Sequence, residues 1–289
     1  MISLCTRRQS SRPGSPWTRR NRTSLTWGSL HPVTAQVPES SATELVHLDV
    51  GDAVATITLD SPHNRNALSR QLVAELFERL EAAAADETVR VVVIRSSGRV
   101  FCSGADLSEA STEGMEVGAR RIVALQRLIV TMSKPVVVEV GGPVRAGGIG
   151  IVAAADIAVA AEDASFALTE VKLGLAAAII SLTVLHRMNS RAAALTTLGG
   201  EVFSGTDAAA YGLVTSAVPA DRLTEEVAAL CASLATGAPQ GLRESKRILN
   251  ASLVARIDAG GEEMAALSAS LFASEEAKAA MTAFLTRTS

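Results

Sequence analysis

The sequence predicts an α/β protein with a largely parallel sheet, helices outside the sheet and a helical C-terminal third. Two observations predict this class. Valine-rich runs of strand length alternate with segments whose apolar residues have helical spacing, a pattern typical of strands joined by crossover helices. Beyond residue 174, almost every remaining segment has helical periodicity.

The elements of the first half follow in a regular order. They are strands over 44–50 and 53–59, a helix over 69–85, a strand over 89–95, a helix over 115–132, a strand over 136–140 and a helix over 149–155. Gly51 and Asp52 form a predicted hairpin connection between the first two strands. Ser69 is the predicted N-cap of the first helix, because its hydroxyl can accept from an unpaired N–H of the first turn.

The second half is predicted to be mostly helical. Its helices cover 179–188, 191–198, 207–212, 222–234, 239–253 and 262–284, with one short strand over 213–218. We therefore expect a core over residues 44–215 and a helical C-terminal region over 216–289.

Composition limits the function classes. Hydrophobic residues make up 48% of the chain and charged residues 20%, with a net charge of −3, which disfavours a nucleic-acid-binding surface and a disordered body. No apolar run approaches the ~18 residues of a membrane span. Three widely spaced cysteines form no metal-ligand pattern and suit a reducing compartment, so we expect a cytoplasmic protein without disulfides.

Residues 1–43 differ in composition from the rest. Six arginines precede the first acidic residue, Glu39, and serine, threonine and proline fill the intervals. Such a segment cannot bury enough apolar surface to fold. We interpret it as a disordered basic extension or a mis-assigned start, with an organelle-targeting presequence as the alternative.

Two glycine-containing loops each follow a strand and precede a helix, one around Gly104 and one at Gly147 and Gly148. The carboxyl ends of parallel strands share one edge of a sheet, where ligands tend to bind. Backbone N–H groups at a helix start lack intrahelical partners and can hold a negative oxygen. Glu170 is a lone carboxylate among apolar residues, and we predict that it transfers protons.

Several motifs in order resemble the enoyl-CoA hydratase/isomerase (crotonase) superfamily over about residues 44–289. They are Ser61–Leu68, Phe101–Leu107, Lys134–Pro135, Ala146–Gly148 with Asp156, Glu170–Gly174 and Gly205–Val214. Within the superfamily, residues 147–151 and 169–181 are most similar to the methylglutaconyl-CoA hydratase-like subgroup, which acts on branched substrates.

The resemblance implies a spiral of ββα units with a helical C-terminal trimerisation region, in a homotrimer or a dimer of trimers. It implies an acyl-CoA thioester substrate and no metal or redox cofactor, since coenzyme A is part of the substrate. By resemblance, the N–H groups of Ala105 and Gly147 form an oxyanion hole for a thioester enolate, and Glu170 moves the proton. The residues that match substrate-binding positions are Arg65, Leu68, Ser103, Asp106, Gly148 and Gly150.

The sequence departs from the hydratase pattern at Gly150, which aligns with the first of two hydratase glutamates and cannot replace it. Three interpretations stay open: a hydratase whose second acid comes from another residue or from oriented water, an isomerase that uses Glu170 alone, and an acyl-CoA-binding protein without turnover. Glu109 and Glu113 are candidate substitute acids. The segment Ala176–Ser181 replaces the usual Gly-Gly-Thr-Gln-Arg, so the acyl pocket should have its own shape.

Overall fold

The computed structural model describes residues 43–106, 108–109 and 115–288, excluding the side chains of residues 284, 285, 287 and 288. Residues 1–42 and Glu113 therefore lie outside the described residues, so the interpretation of the basic extension and the role suggested for Glu113 stay predictions.

The strands are β1 Val46–Gly51, β2 Val54–Leu59, β3 Val91–Ser96, β4 Val136–Val140, β5 Val144–Arg145, β6 Ile157–Ala161, β7 Ser165–Ala167, β8 Phe203–Ser204 and β9 Ser216–Val218. The helices are α1 Arg70–Ala85, α2 Met115–Thr131, α3 Gly147–Ala154, α4 Ala178–Arg187, α5 Ser190–Gly199, α6 Gly205–Ala210, α7 Leu223–Ala235, α8 Pro239–Ala273 and α9 Glu275–Thr288. Short 3-10 helices cover Pro62–Asn64, Thr169–Leu173 and Ala220–Arg222.

Six of the described strands form one mixed sheet in the order β1-β2-β3-β4-β6-β9. Only the β1–β2 pair in this sheet is antiparallel, and the other four pairs are parallel. The predicted α/β class with a largely parallel sheet is confirmed. The first four residues of β3, Val91–Ile94, are all buried, which explains a continuous apolar run rather than an alternating one.

The first hairpin differs by one residue from the prediction. Gly51 pairs with Val54, so the two turn residues are Asp52 and Ala53, with φ values of 51° and 63°. Positive φ at both central positions is the type I′ geometry that suits the right-handed twist of the two strands. The register of β2 decides the turn, because it places Ala55, Ile57 and Leu59 in the core.

Helix α1 begins as predicted. The Ser69 hydroxyl accepts a hydrogen bond from the Leu72 N–H at 3.2 Å, and the helix buries Leu72, Leu76 and Leu80. This spacing of four residues puts one apolar face of the helix against the sheet.

The C-terminal third is helical as predicted, but its longest helix is continuous. Helix α8 has 35 residues, whereas the sequence predicted two helices separated by residues 254–261. Gly260 and Gly261 lie within it, and a Cβ at Gly261 would come within 2.9 Å of Val123 Cγ1. Glycine therefore allows α2 and α8 to pack closely here, and that tertiary contact outweighs the weak helix propensity of glycine.

Strand β9 pairs with β6, so the sheet continues slightly beyond the predicted boundary at residue 215. Among the described helices, we find none with the length and hydrophobicity that crossing a bilayer requires.

Candidate active site

The loop after β3 runs beside the segment that leads into α3. The Arg145 N–H donates to the Cys102 carbonyl oxygen at 2.9 Å. Gly104 has φ of 95°, and a Cβ there would come within 2.9 Å of Ala146 Cβ. A side chain at Gly104 would thus be strained by its backbone and would collide with the neighbouring segment. Glycine at this position allows the two loops to touch.

The backbone N–H groups of Ala105 and Gly147 have no acceptor among the described residues. Gly147 is the first residue of α3, where helix geometry leaves N–H groups unpaired. Leu68 contacts both segments, since its N–H donates to the Gly104 carbonyl oxygen at 2.8 Å and its Cδ1 would lie 2.6 Å from a Cβ at Gly147.

Glu170 lies in the 3-10 helix Thr169–Leu173. Its Oε2 is buried and has no hydrogen-bond partner among the described residues. Burial raises the pKa of Glu170 to about 7 and outweighs a hydrogen bond from its own backbone, which lowers it. An unpaired buried carboxyl is energetically costly, and such groups cluster where chemistry needs a shifted pKa.

A single cavity of about 160 Å³ is lined by Ala105, Gly147 and Glu170 together. Most of its remaining wall is apolar. That part comes from Leu68 and Val73, from the α2 residues Met115, Ala119 and Ile122, from the segment Ala176–Ile180, and from Phe272 of α8. The three residues predicted to be catalytic therefore share one mostly apolar space, in which electrostatic interactions are stronger than in bulk water.

The family model for enoyl-CoA hydratase/isomerase matches residues 49–289. The chain belongs to this family. A crystal structure of an enoyl-CoA hydratase from Mycobacterium avium is 44% identical, superposes with a TM-score of 0.80, and covers 84% of this chain and 96% of that one. A Thermus thermophilus protein assigned as an enoyl-CoA hydratase is 38% identical over 68% of this chain and 80% of its own length. The resemblance to the superfamily is confirmed, and with it the crotonase-like fold and an enzymatic role in acyl-CoA processing.

Other side chains close the space beside Gly150, the position at which the resemblance places the first hydratase glutamate. Gly150 is buried and does not line the cavity. A Cβ at Gly150 would lie 2.6 Å from Ile180 Cγ2 and 3.3 Å from Gln126 Oε1. Gln126 is itself fixed, because its Oε1 accepts from the Thr183 hydroxyl at 2.6 Å and its Nε2 donates to the Ile179 carbonyl oxygen at 3.2 Å. A larger residue at position 150 needs this corner to repack.

Asp106 and Ser103 brace two loops against each other. One Asp106 oxygen accepts from the Ser108 N–H at 3.0 Å, and the other accepts from Asn64 Nδ2 at 3.1 Å. The Ser103 hydroxyl donates to the Asn64 carbonyl oxygen at 3.1 Å. Asp106 also lines the cavity, whereas Ser103 does not. Both side chains therefore help to position Ala105, which lies between them.

The other predicted substrate contacts lie at different depths. Leu68 lines the cavity, whereas Arg65 is exposed on a left-handed turn outside it. Gly148 is buried, and a Cβ there would meet Cys102 Cβ at 2.7 Å, so this glycine permits packing of α3 on the neighbouring loop. Burial raises the pKa of the Cys102 thiol to about 12, which excludes a thiolate nucleophile at neutral pH. Substrate binding by these positions stays a prediction.

Of the two candidate substitute acids, Glu109 lines the cavity and accepts a hydrogen bond from the Arg70 N–H at 3.0 Å. It also forms an ion pair with the Arg70 guanidinium at 3.4 Å.

Sequence reasoning missed the cavity-lining residues Arg121 and Ser268. Both lie on helices whose pattern predicts packing, and only the approach of α2 to α8 places them at the same cavity.

Proposed function

We propose that the chain converts an enoyl-CoA through a thioester enolate, with Glu170 transferring the proton and the Ala105 and Gly147 N–H groups binding the thioester oxygen. The observation that carries the proposal is the buried, unpartnered Oε2 of Glu170 in a cavity that both residues also line. A bound acyl group would supply what this carboxyl lacks, namely a nearby atom with which to exchange a proton.

The electrostatics support this assignment. Charge develops on the thioester oxygen when the enolate forms, and a preorganised backbone donor contributes about 3 kcal/mol to such a transition state. A carboxyl with a pKa of about 7 is partly ionised at neutral pH, so it can both accept and return a proton. The proposed chemistry uses no metal or redox cofactor.

Hydration is the first candidate reaction, because the relatives are hydratases by name. It adds the hydroxyl of water at C3 and a proton at C2, so it needs a group that orients the water. Isomerisation is the second candidate, favoured by the closed corner at Gly150 and Ile180. In this reaction Glu170 removes a proton from C2 of a 3-enoyl thioester and returns it at C4, which gives the 2-enoyl thioester without consuming water.

An absorbance assay tests these alternatives. Hydration of a 2-enoyl-CoA removes thioester conjugation and lowers the ultraviolet absorbance, whereas isomerisation of a 3-enoyl-CoA creates conjugation and raises it. We expect Glu170→Gln to lower kcat about a thousandfold, in the range of general acid–base catalysis, while a saturated acyl-CoA still binds in calorimetry. Full activity of this variant would remove Glu170 from the mechanism. Binding without turnover of either ester class would favour the non-catalytic alternative.

We also infer a homotrimer or a dimer of trimers. Large apolar side chains are exposed on α5, at Leu195 and Leu198, and on α8, at Ile248 and Leu249. Such exposed apolar surface often marks a protein–protein interface. Light scattering after size-exclusion chromatography measures the mass of the assembly, and Leu198→Glu should shift that mass towards the monomer if α5 contributes to the interface.

We also propose a cytoplasmic location, which the free, buried thiols of Cys102 and Cys231 suit.

A further inference from the structure

Ala146, the residue before α3, has an unusual backbone conformation. Its φ is 44° and its ψ is −119°. This combination lies outside the left-handed helical region and is close to the first central position of a type II′ turn, where glycine dominates. An alanine in this conformation is strained, because its Cβ crowds the backbone, and such strain persists only where surrounding contacts hold it.

The conformation of Ala146 decides which group Gly147 presents. The dihedral ψ of Ala146 rotates the peptide group that carries the Ala146 carbonyl and the Gly147 N–H, and in a trans peptide these two bonds point in opposite directions. The Ala146 carbonyl oxygen accepts from the Ile149 N–H at 2.8 Å, within the first turn of α3. The Gly147 N–H therefore points away from that turn. Rotation of the group by half a turn would replace this donor by a carbonyl oxygen, which repels a thioester oxygen.

The side chain of Arg145 supplies contacts that hold this segment. Its Nη1 donates to the carbonyl oxygens of Val144 at 2.8 Å and of Ser165 at 2.7 Å, and its Nη2 donates to the Ser165 hydroxyl at 3.1 Å. These bonds connect β5 to β7, which have only two and three residues, so they reinforce a short backbone ladder. The guanidinium forms no ion pair with a carboxylate in the described part of the chain, and its charge is directed at these neutral oxygens.

Strands β5 and β7 lead directly to two groups of the candidate active site. Arg145 pairs with Ala167 in the parallel register of these strands. Gly147 follows Arg145 by two residues, and Glu170 follows Ala167 by three. The position of β5 relative to β7 therefore sets where the Gly147 N–H lies relative to the Glu170 carboxyl.

We propose that Arg145 is a positioning residue for the oxyanion hole. By fixing β5 on β7, it holds Ala146 in the strained conformation and keeps the Gly147 N–H directed into the cavity. Arg145 acts through the backbone, since it is not among the described residues that line the cavity. This inference rests on the proposed function for the identity of the oxygen that the N–H binds.

Infrared spectroscopy tests the direction of this N–H without turnover. The probe is butanoyl-CoA isotopically labelled at the thioester carbonyl carbon, and we expect the wild-type protein to lower its C=O stretching frequency relative to water. Arg145→Met should lose about half or more of this shift, because a hydrogen bond weakens steeply when its donor is misaligned. Arg90→Met is the matched control and should keep the full shift, since Arg90 also donates to a carbonyl oxygen, that of Glu87 at 2.7 Å, but precedes β3.

Turnover of an enoyl-CoA gives a second readout. Arg145→Met should lower kcat about tenfold and change KM less than about twofold, because a misdirected donor stabilises the transition state less. Arg145→Lys keeps a donor for the two carbonyl oxygens and should retain most of the activity. When Ala146→Gly is added to Arg145→Met, it should restore about half or more of the lost kcat and of the lost shift, since glycine adopts this conformation without strain.

The two readouts separate this inference from the proposed function. If no enoyl-CoA reacts but Arg145→Met loses the shift and Ala146→Gly restores it, the inference holds and the catalytic proposal fails. A wild-type shift and kcat in Arg145→Met would overturn the inference and leave the proposed function intact. Losses that Ala146→Gly does not restore would mean that Arg145 only supports folding, which also overturns it.

Ser165→Ala keeps the test available if Arg145→Met does not fold. It removes one of the three bonds of the guanidinium, and we expect a smaller loss of the shift in the same direction. Lower stability in urea with an unchanged shift would overturn the inference.

Discussion

Two buried ionisable sites in this protein are built in opposite ways. Asp156 accepts from Lys246 Nζ, Asn250 Nδ2 and the Val136 N–H, each at 2.8 Å. Glu170 has a buried oxygen without any partner among the described residues. Of these two sites, Glu170 lines the candidate active-site cavity, and Asp156 is not among the described residues that line it.

The difference separates stability from reactivity. The Lys246 Nζ also donates to the carbonyl oxygens of Ile129 and Lys134, so this one side chain ties α8 to the end of α2 and to the residues before β4. A buried charge with complete hydrogen bonding fixes a structure but has no capacity left for a substrate. Glu170 lacks such bonds, and its pKa moves into the range in which it can exchange a proton.

The largest stability effect should come from breaking the satisfied site. Lys246→Met leaves Asp156 buried without its counter-ion and should lower the free energy of unfolding by about 3–5 kcal/mol in urea titration. Arg243→Gln is the matched control on the same helix, because Arg243 forms an exposed ion pair with Glu244 and should change stability by less than about 0.5 kcal/mol. Similar small effects for both variants would show that the buried cluster is not a structural anchor.

The unsatisfied site should behave in the opposite way. The pKa of Glu170 is about 7 in the folded protein, whereas an unperturbed glutamate, as in the unfolded chain, has a pKa of 4.5. Between these two values the folded protein therefore binds more protons than the unfolded chain. Stability from Glu170 is present below pH 4.5 and is lost as the pH rises through 7. Glu170→Gln should therefore gain about 2–3 kcal/mol relative to wild type when the pH rises from 5 to 8.

Urea titrations of both proteins at pH 5 and pH 8 measure this gain, and Glu201→Gln is a control at an exposed carboxylate. A constant difference between wild type and Glu170→Gln across this pH range would mean that the carboxyl is solvated in solution.

Turnover should follow the same titration. If the base form of Glu170 removes the proton, kcat/KM falls about tenfold for each pH unit below the pKa and levels off above about 7. Initial rates from pH 5 to 9 give the profile. A midpoint near 4.5 would contradict an effect of burial, and a flat profile would assign proton transfer to another group.

The smallest effect should come from the loop brace. Asp106→Ala removes hydrogen bonds with Ser108 and Asn64, and should cost about 1 kcal/mol of stability. Because the loop also holds Ala105, we expect kcat to fall severalfold with little change in KM. A rise in KM at constant kcat would instead assign Asp106 to direct substrate binding.

Local patterns predicted much of the fold. The cap at Ser69 and the apolar spacing of α1 depend on neighbouring residues alone, so the prediction succeeded there. The break predicted inside α8 was wrong, because Gly260 and Gly261 lower helix propensity locally but permit close packing that only a partner helix reveals. The hairpin turn shifted by one residue for a similar reason, since the sheet register outweighs the turn signal.

The sequence by itself determined the α/β class, the family and the residue types at the candidate site, because motifs and periodicity are local properties. Only the tertiary structure decided that Ala105, Gly147 and Glu170 line one cavity, that Arg121 and Ser268 also line it, and that Ile180 occupies the space next to Gly150. These facts depend on which elements pack together. The burial that raises the pKa of Glu170 likewise exists only after that packing.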